Sequence, residues 1–215
     1  REETTARRHA MNRIRTLCIA AVMLSLLAGG RASAYADLGP TKTIRSTNRT
    51  IHSLLKKRFS KGTPAETKVK ERLSRAVNGF LDFEELARRS LGRHWEKRTP
   101  AERTEFIGIL RDLIRRNYVR QLRDNLAYKL EYQGQTVDGD KAHVKTVVKV
   151  KKNGRTEEVA VEYKMHRTKR GWKVVDVITD EVSIVRNYRS QFNRIIRRNS
   201  YETLVKKMKN KLKRI

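Results

Sequence analysis

Imidazoles, carboxylates and one hydroxyl are the groups of this sequence that could do chemistry, and their spacing argues against it. His52, His94, His143 and His166 are scattered through different predicted elements, with no HExxH or HxH pattern and no cysteine partner, so no metal site is expected. Ser183 lacks the Gly-x-Ser-x-Gly elbow whose sharp turn exposes a nucleophile. Asp82, Glu84 and Glu85 open a predicted helix, where carboxylates complement the N-terminal dipole. The single cysteine, Cys18, lies in a segment expected to be removed, which leaves neither disulfide nor thiol chemistry. The expectation is therefore a protein with no catalytic residue, no metal and no cofactor.

The elements that position these groups follow from hydrophobic period. Pro40 opens a helix with Ile44, Ile51, Leu54, Leu55 and Phe59 on one face, stopped by Gly62. Thr63-Pro64-Ala65-Glu66 is a capping box before a second helix, which Asn78-Gly79 is expected to end. Leu81-Asp82-Phe83-Glu84-Glu85-Leu86 starts a short helix closed by Gly92. Thr99-Pro100-Ala101-Glu102 repeats the capping box ahead of a long helix carrying Phe106, Leu110, Leu113, Ile114, Tyr118 and Leu122.

The period then turns to alternation. Tyr128 to Tyr132 is a strand, Asp138-Gly139-Asp140 a turn, and Ala142, Val144, Thr146, Val148 and Val150 mark one face of a long second strand. Asn153-Gly154 signals a tight hairpin, and Val159, Val161, Tyr163 and Met165 alternate along the return strand. Trp172 to Ile178 is a fourth, buried strand that hands over to a helix with Ile184, Val185, Tyr188, Phe192, Ile195 and Ile196 on one face. Asn199 is a left-handed stop and Ser200 the cap of a last helix. The sum is an α+β fold: an antiparallel sheet of about four strands covered by amphipathic helices.

Composition bounds the setting. Lysine and arginine number 51 against 23 acidic residues, a formal net charge of +28, which favours anionic partners. Arg13 and Arg15 precede an apolar run from Leu17 to Ala28, with small-x-small sites at Ala32-Ser33-Ala34 and Ala34-Tyr35-Ala36, the pattern of a cleavable export signal. The run is shorter than the about 20 residues needed to span a bilayer. Residues 1–36 are expected to be an upstream extension and signal peptide, and residues 37–215 one domain. Removing the former leaves 45 basic and 21 acidic residues, a charge of +24 that belongs to the domain itself.

Three segments carry a family resemblance. The Trp172-Lys-x-x-Asp-Val strand, the Val182-Ser-Ile-Val turn and the Asn187-Tyr-Arg-x-Gln-Phe helix resemble, in this order, the MlaC-type family of periplasmic phospholipid-binding proteins, also called toluene-tolerance proteins. The Asp82-Phe-x-x-Leu-Ala to Leu91-Gly-x-x-Trp95 pattern and Tyr118 are similar to that family as well. The resemblance implies an NTF2-like container holding phospholipid tails in a cavity between sheet and helices. It also implies a periplasmic shuttle between an outer-membrane lipoprotein-porin complex and an inner-membrane ABC transporter with an MCE-domain subunit, in a pathway that maintains outer-membrane lipid asymmetry.

Carried over position by position, Val182, Ser183, Ile184, Val185, Tyr188 and Phe192 become candidates for cavity wall or mouth, and Arg189, whose guanidinium offers paired donors, for a phosphate contact, with a structural ion pair to Asp176 or Asp180 as its competing role. Phe106, Leu110, Val161 and Trp95 either line the cavity or fill a core, since both walls use the same residue types. Tyr118 and Tyr163 suit the boundary between tail and head group. Glu181 stands where the family usually has glycine, so a different turn and a charge at the mouth are expected.

Two rivals remain. A nucleic-acid binder would set basic residues and exposed aromatics on one face, whereas the aromatics here fall on apolar faces behind an export signal, so no nucleic-acid partner is expected. An exported basic adaptor that docks on membrane partners without carrying lipid would share the signal and the charge.

Overall fold

The computed structural model describes residues 39–56, 62–124, 128–152 and 155–214, apart from the side chains of residues 55, 117–124, 128, 151 and 152. The export signal, Phe59, the Asn153-Gly154 turn and the Tyr118 side chain lie outside the described residues. Among the described residues, six α-helices and five strands follow one another in three blocks. Helices α1 (Pro40–Lys56), α2 (Pro64–Phe80), α3 (Phe83–Leu91) and α4 (Pro100–Asp124) come first. Strands β1 (Tyr128–Asp138), β2 (Lys141–Lys152), β3 (Arg155–Thr168), β4 (Gly171–Thr179) and β5 (Val182–Ser183) follow, then helices α5 (Ile184–Arg198) and α6 (Tyr201–Arg214).

The sheet is an antiparallel meander in sequence order β1-β2-β3-β4-β5. Its fifth strand is only two residues long, paired to Ile178 and Thr179, so a length-based reading of the sequence does not see it. Alternation sets the two faces: Val144, Thr146 and Val148 of β2 and Val159, Val161, Tyr163 and Met165 of β3 are buried on the inner face. The register carries one row straight across that face, from Tyr132 through Thr146 and Val161 to Thr179. Strand β1 runs six residues beyond the predicted Tyr132, through a bulge at Gln133 with Gly134 at φ 148°. Helix α1 crosses this strand, where Thr41 gives its N–H and hydroxyl to the Gln135 side-chain oxygen at 3.0 and 2.6 Å. On the far side, β5 and Leu81, which bridges to Val174, occupy the free edge of β4.

The helices bury the faces their spacing predicts: Ile44, Ile51 and Leu54 of α1, Val69, Leu73, Val77 and Phe80 of α2, and Phe106, Leu110 and Ile114 of α4. These join the inner face of the sheet in one continuous apolar cluster. The second capping box closes reciprocally, with Glu102 N–H on Thr99 Oγ1 at 3.2 Å and Thr99 N–H on Glu102 Oε2 at 2.8 Å. In the first, the Glu66 N–H donates to Thr63 Oγ1 at 3.3 Å, and the Glu66 carboxylate accepts the Gly62 N–H at 2.7 Å.

Two expected stops differ. Helix α2 runs through Asn78-Gly79 to Phe80, because Phe80 and Leu81 are buried and the Leu81 N–H bonds the Val77 carbonyl. Asn199 ends α5, but at φ −136° rather than in the left-handed region; its N–H holds the Ile195 carbonyl while Ser200 caps the next helix.

Candidate functional site

The junction from β4 to α5 is built around one carboxylate. Asp176 is buried, its Oδ2 accepts the Ser183 hydroxyl at 2.6 Å, and its Oδ1 accepts the Val185 N–H at 3.1 Å. Ser183 in turn caps α5, its oxygen accepting the Arg186 N–H at 3.0 Å. A negative group is thereby fixed at a helix N-terminus, where unpaired N–H groups favour it. The strand turns into this junction through Asp180 and Glu181 at φ 45° and 65°, the two positive values of a type I′ turn. Asp180 N–H closes onto the Ala160 carbonyl of β3 at 3.1 Å.

Helix α5 carries an aromatic ladder inward. Tyr188 stacks on Phe192 at 5.3 Å, Phe192 meets Phe106 edge-on at 5.6 Å, and Phe106 lies 6.3 Å from Tyr201 of α6. Burial pushes the Tyr188 hydroxyl above its ordinary pKa. Tyr201 is pushed up to about 12, first by burial and then by the nearby Glu102 charge. Its hydroxyl donates to the Glu102 carbonyl at 3.2 Å and the Arg98 guanidinium covers its ring at 4.4 Å. Across the interior, Val161 and Tyr163 lie fully buried on β3, with Phe80 edge-on to Tyr163 at 6.2 Å.

The predicted residues therefore divide. Phe106, Leu110, Val161, Tyr163, Val185 and Phe192 belong to one apolar interior, and Ile184 and Tyr188 pack against it half-buried. Trp95 is buried at the turn before α4, under the Arg103 guanidinium at 5.1 Å. Val182 points away, 39 % exposed on the edge strand. Ser183 is engaged in the junction and 2 % exposed. Arg189 pairs with neither Asp176 nor Asp180 among the described residues; its Nε donates to the Arg89 carbonyl at 2.8 Å. There it closes the end of α3, against Gly92 at φ 54°.

Sequence reasoning missed two features. Thr179 is 1 % exposed on the inner face, and its hydroxyl has no hydrogen-bond partner among the described residues. A threonine ending a strand carries no signal of this; only the register that sets it beside Val161 reveals it. The second is a cavity of about 710 Å³ where α3 meets the turn ends of β1 to β3, lined by Arg88, Arg89, Lys141, His143, Lys164 and His166 among others. None of the residues predicted to contact lipid is among those that line it. Two histidines there are held by carboxylates, His143 to Glu162 at 2.7 Å and His166 to Asp82 at 2.8 Å. Among the described residues no three histidine, cysteine, aspartate or glutamate side chains gather as a metal set, and no helix is long and apolar enough to cross a membrane.

Comparison with known proteins adds three findings. The family model for the MlaC protein matches residues 45–210. Comparison with curated proteins gives no match. Among solved structures, the fold is similar to that of the phospholipid-binding protein from Ralstonia solanacearum, determined in complex with a phospholipid. The TM-score is 0.65 at 21 % identity, over 86 % of this chain and 98 % of that one.

Proposed function

This chain belongs to the MlaC family, and on that premise we propose that it is a carrier that takes the tails of a phospholipid between its sheet and its helices. The observation that carries the reading is the single apolar interior running from the inner face of β2 to β4 to the inward faces of α1, α2, α4 and α5. Two acyl chains hold roughly thirty methylenes, each worth about 0.8 kcal/mol on leaving water, so transfer needs a dry container rather than a reaction. Tails and side chains make the same nonspecific contacts, so the residues of such an interior are of the kind that walls a lipid container.

Phe106, Leu110, Val161, Tyr163, Tyr188 and Phe192 supply the wall in this reading. Thr179 supplies a donor for an ester carbonyl, which would pair a hydroxyl that finds no partner among the described residues. Family membership supports the setting: a periplasmic shuttle between an outer-membrane lipoprotein-porin complex and an inner-membrane ABC transporter with an MCE-domain subunit, maintaining lipid asymmetry. The Ralstonia protein, described as phospholipid-binding, is consistent with the cargo.

Mass spectrometry of organic extracts from protein purified without detergent tests the carrier directly. A near-stoichiometric diacyl phospholipid is expected. Lipid-free protein that also takes no lipid from vesicles would remove the carrier reading and leave the exported adaptor, which the basic surface favours, as the alternative.

A further inference from the structure

Among the described helices, the last two carry the densest excess of positive charge. Between Ile184 and Arg214 stand eleven lysines and arginines and one acidic residue, Glu202. Both helices keep their apolar residues inward, Val185 and Phe192 on α5 and Leu204, Val205 and Met208 on α6, while the cations are exposed on the opposite faces. Elsewhere several cations are paired with a nearby carboxylate: Arg88 and Arg89 with Glu85, Arg98 with Glu102, Arg103 with Glu96, and Lys149 with Glu131 and Glu158. Of the eleven, Lys209 alone has a carboxylate within reach among the described residues, Glu105. Arg186 and Arg189 are spent on the backbone carbonyls of Glu181 and Arg89. The remaining charges have no acidic counterpart among the described residues, and all of them are exposed.

We infer that the outward faces of α5 and α6 seat this protein on a bilayer that displays anionic phospholipid head groups. A fixed acidic protein surface would demand register and a few well-aimed contacts. Here the cations run along two helices about 20 Å long each, and many of them are flexible lysines. Mobile phosphates in a fluid leaflet rearrange to match such a distribution, and each basic residue near an anionic surface adds about 1 kcal/mol. The apolar stripes of both helices are already used inside the protein, so the contact is electrostatic and the helices stay docked on the fold rather than inserting. The inference goes beyond the carrier reading, because it concerns the outer surface and holds whether or not the interior takes lipid.

The test is co-sedimentation of the mature protein with vesicles of phosphatidylcholine alone and of phosphatidylcholine mixed with phosphatidylglycerol, at low and at high salt. Binding to the anionic vesicles only, lost as salt rises, is the expected result. Combined Lys206→Glu, Lys207→Glu, Lys211→Glu and Lys213→Glu should weaken it on the order of a hundredfold or more. The same four positions changed to Gln keep helix propensity and should weaken it about tenfold or more, which separates lost charge from a disturbed helix. Equal binding to neutral vesicles, no binding to anionic ones, or unchanged binding in both variants would overturn the inference. So would retention on an acidic polypeptide without binding to anionic vesicles. Lipid content of the same variants, read by mass spectrometry, is expected to stay as in the parent, so a failure of docking and a failure of cargo binding are told apart.

Discussion

Thr179 and Glu181, two residues apart, pull in opposite directions. The Thr179 hydroxyl is buried without a partner among the described residues, so Thr179→Val should leave stability unchanged or raise it by about 1 kcal/mol in denaturant unfolding. If that hydroxyl serves an ester, the same variant should retain less phospholipid after purification, a gain in stability bought with function. Glu181 sits at φ 65°, a conformation that costs a residue with a Cβ roughly 1–2 kcal/mol. Glu181→Gly relieves that strain but loosens the unfolded chain, for a net gain of about 0.5–1 kcal/mol, visible as a small rise in Tm. Loss of stability in Glu181→Gly would mean that the Glu181 side chain holds the turn.

At the scale of elements, α3 is fastened at both ends: Asp82 caps its start and also holds His166, and Arg189 closes its last turn. Within it, the Arg88 and Arg89 guanidiniums hold the Glu85 carboxyl well down, at about 2, Arg88 contributing most. A carboxylate whose pKa falls on folding adds stability above its unfolded pKa of about 4.3 and loses it as pH drops toward the folded value. The expected contribution, screened by the surrounding water, is about 1 kcal/mol. Unfolding of the parent and of Glu85→Gln should therefore differ at pH 6 and converge near pH 2, and a difference that persists at pH 2 would assign the effect to packing.

Most elements of this kind were legible in the sequence. Alternation from Ala142 to Val150 and the capping boxes at Thr63 and Thr99 are local signals, and local hydrogen bonds honour them. What stayed hidden depends on partners distant in the chain: β5 exists only by pairing with β4, and α2 outlasts its Asn78-Gly79 signal because Phe80 and Leu81 find a core. The same holds for the site. The inward ladder of Tyr188 and Phe192 follows from helical spacing, whereas the exposure of Val182 and the bond from Arg189 to Arg89 follow from how the β4 edge and α3 meet.

For the whole molecule, unbalanced charge outweighs any local feature. Residues 37–215 carry a formal +24, far from balance for one domain, and like charges within a Debye length of each other repel in the compact state. Raising salt from about 10 mM to about 0.3 M should therefore raise Tm, the reverse of what a fold held by surface ion pairs would do. A flat or falling Tm would mean that the scattered pairs outweigh the net repulsion. The edge of the sheet has a bearing on the same molecule at high concentration. An exposed, regular edge strand is a template on which another chain can add, but β1 is interrupted by the bulge at Gln133 and crossed by α1 through Thr41 and Gln135. Deleting Gln133 would restore a continuous ladder of unpaired N–H and C=O groups, and light scattering of the concentrated variant should then show polymers that the parent does not form. An irregularity of one residue thus serves as the protein's guard against fibril growth in the crowded space where it would have to diffuse freely.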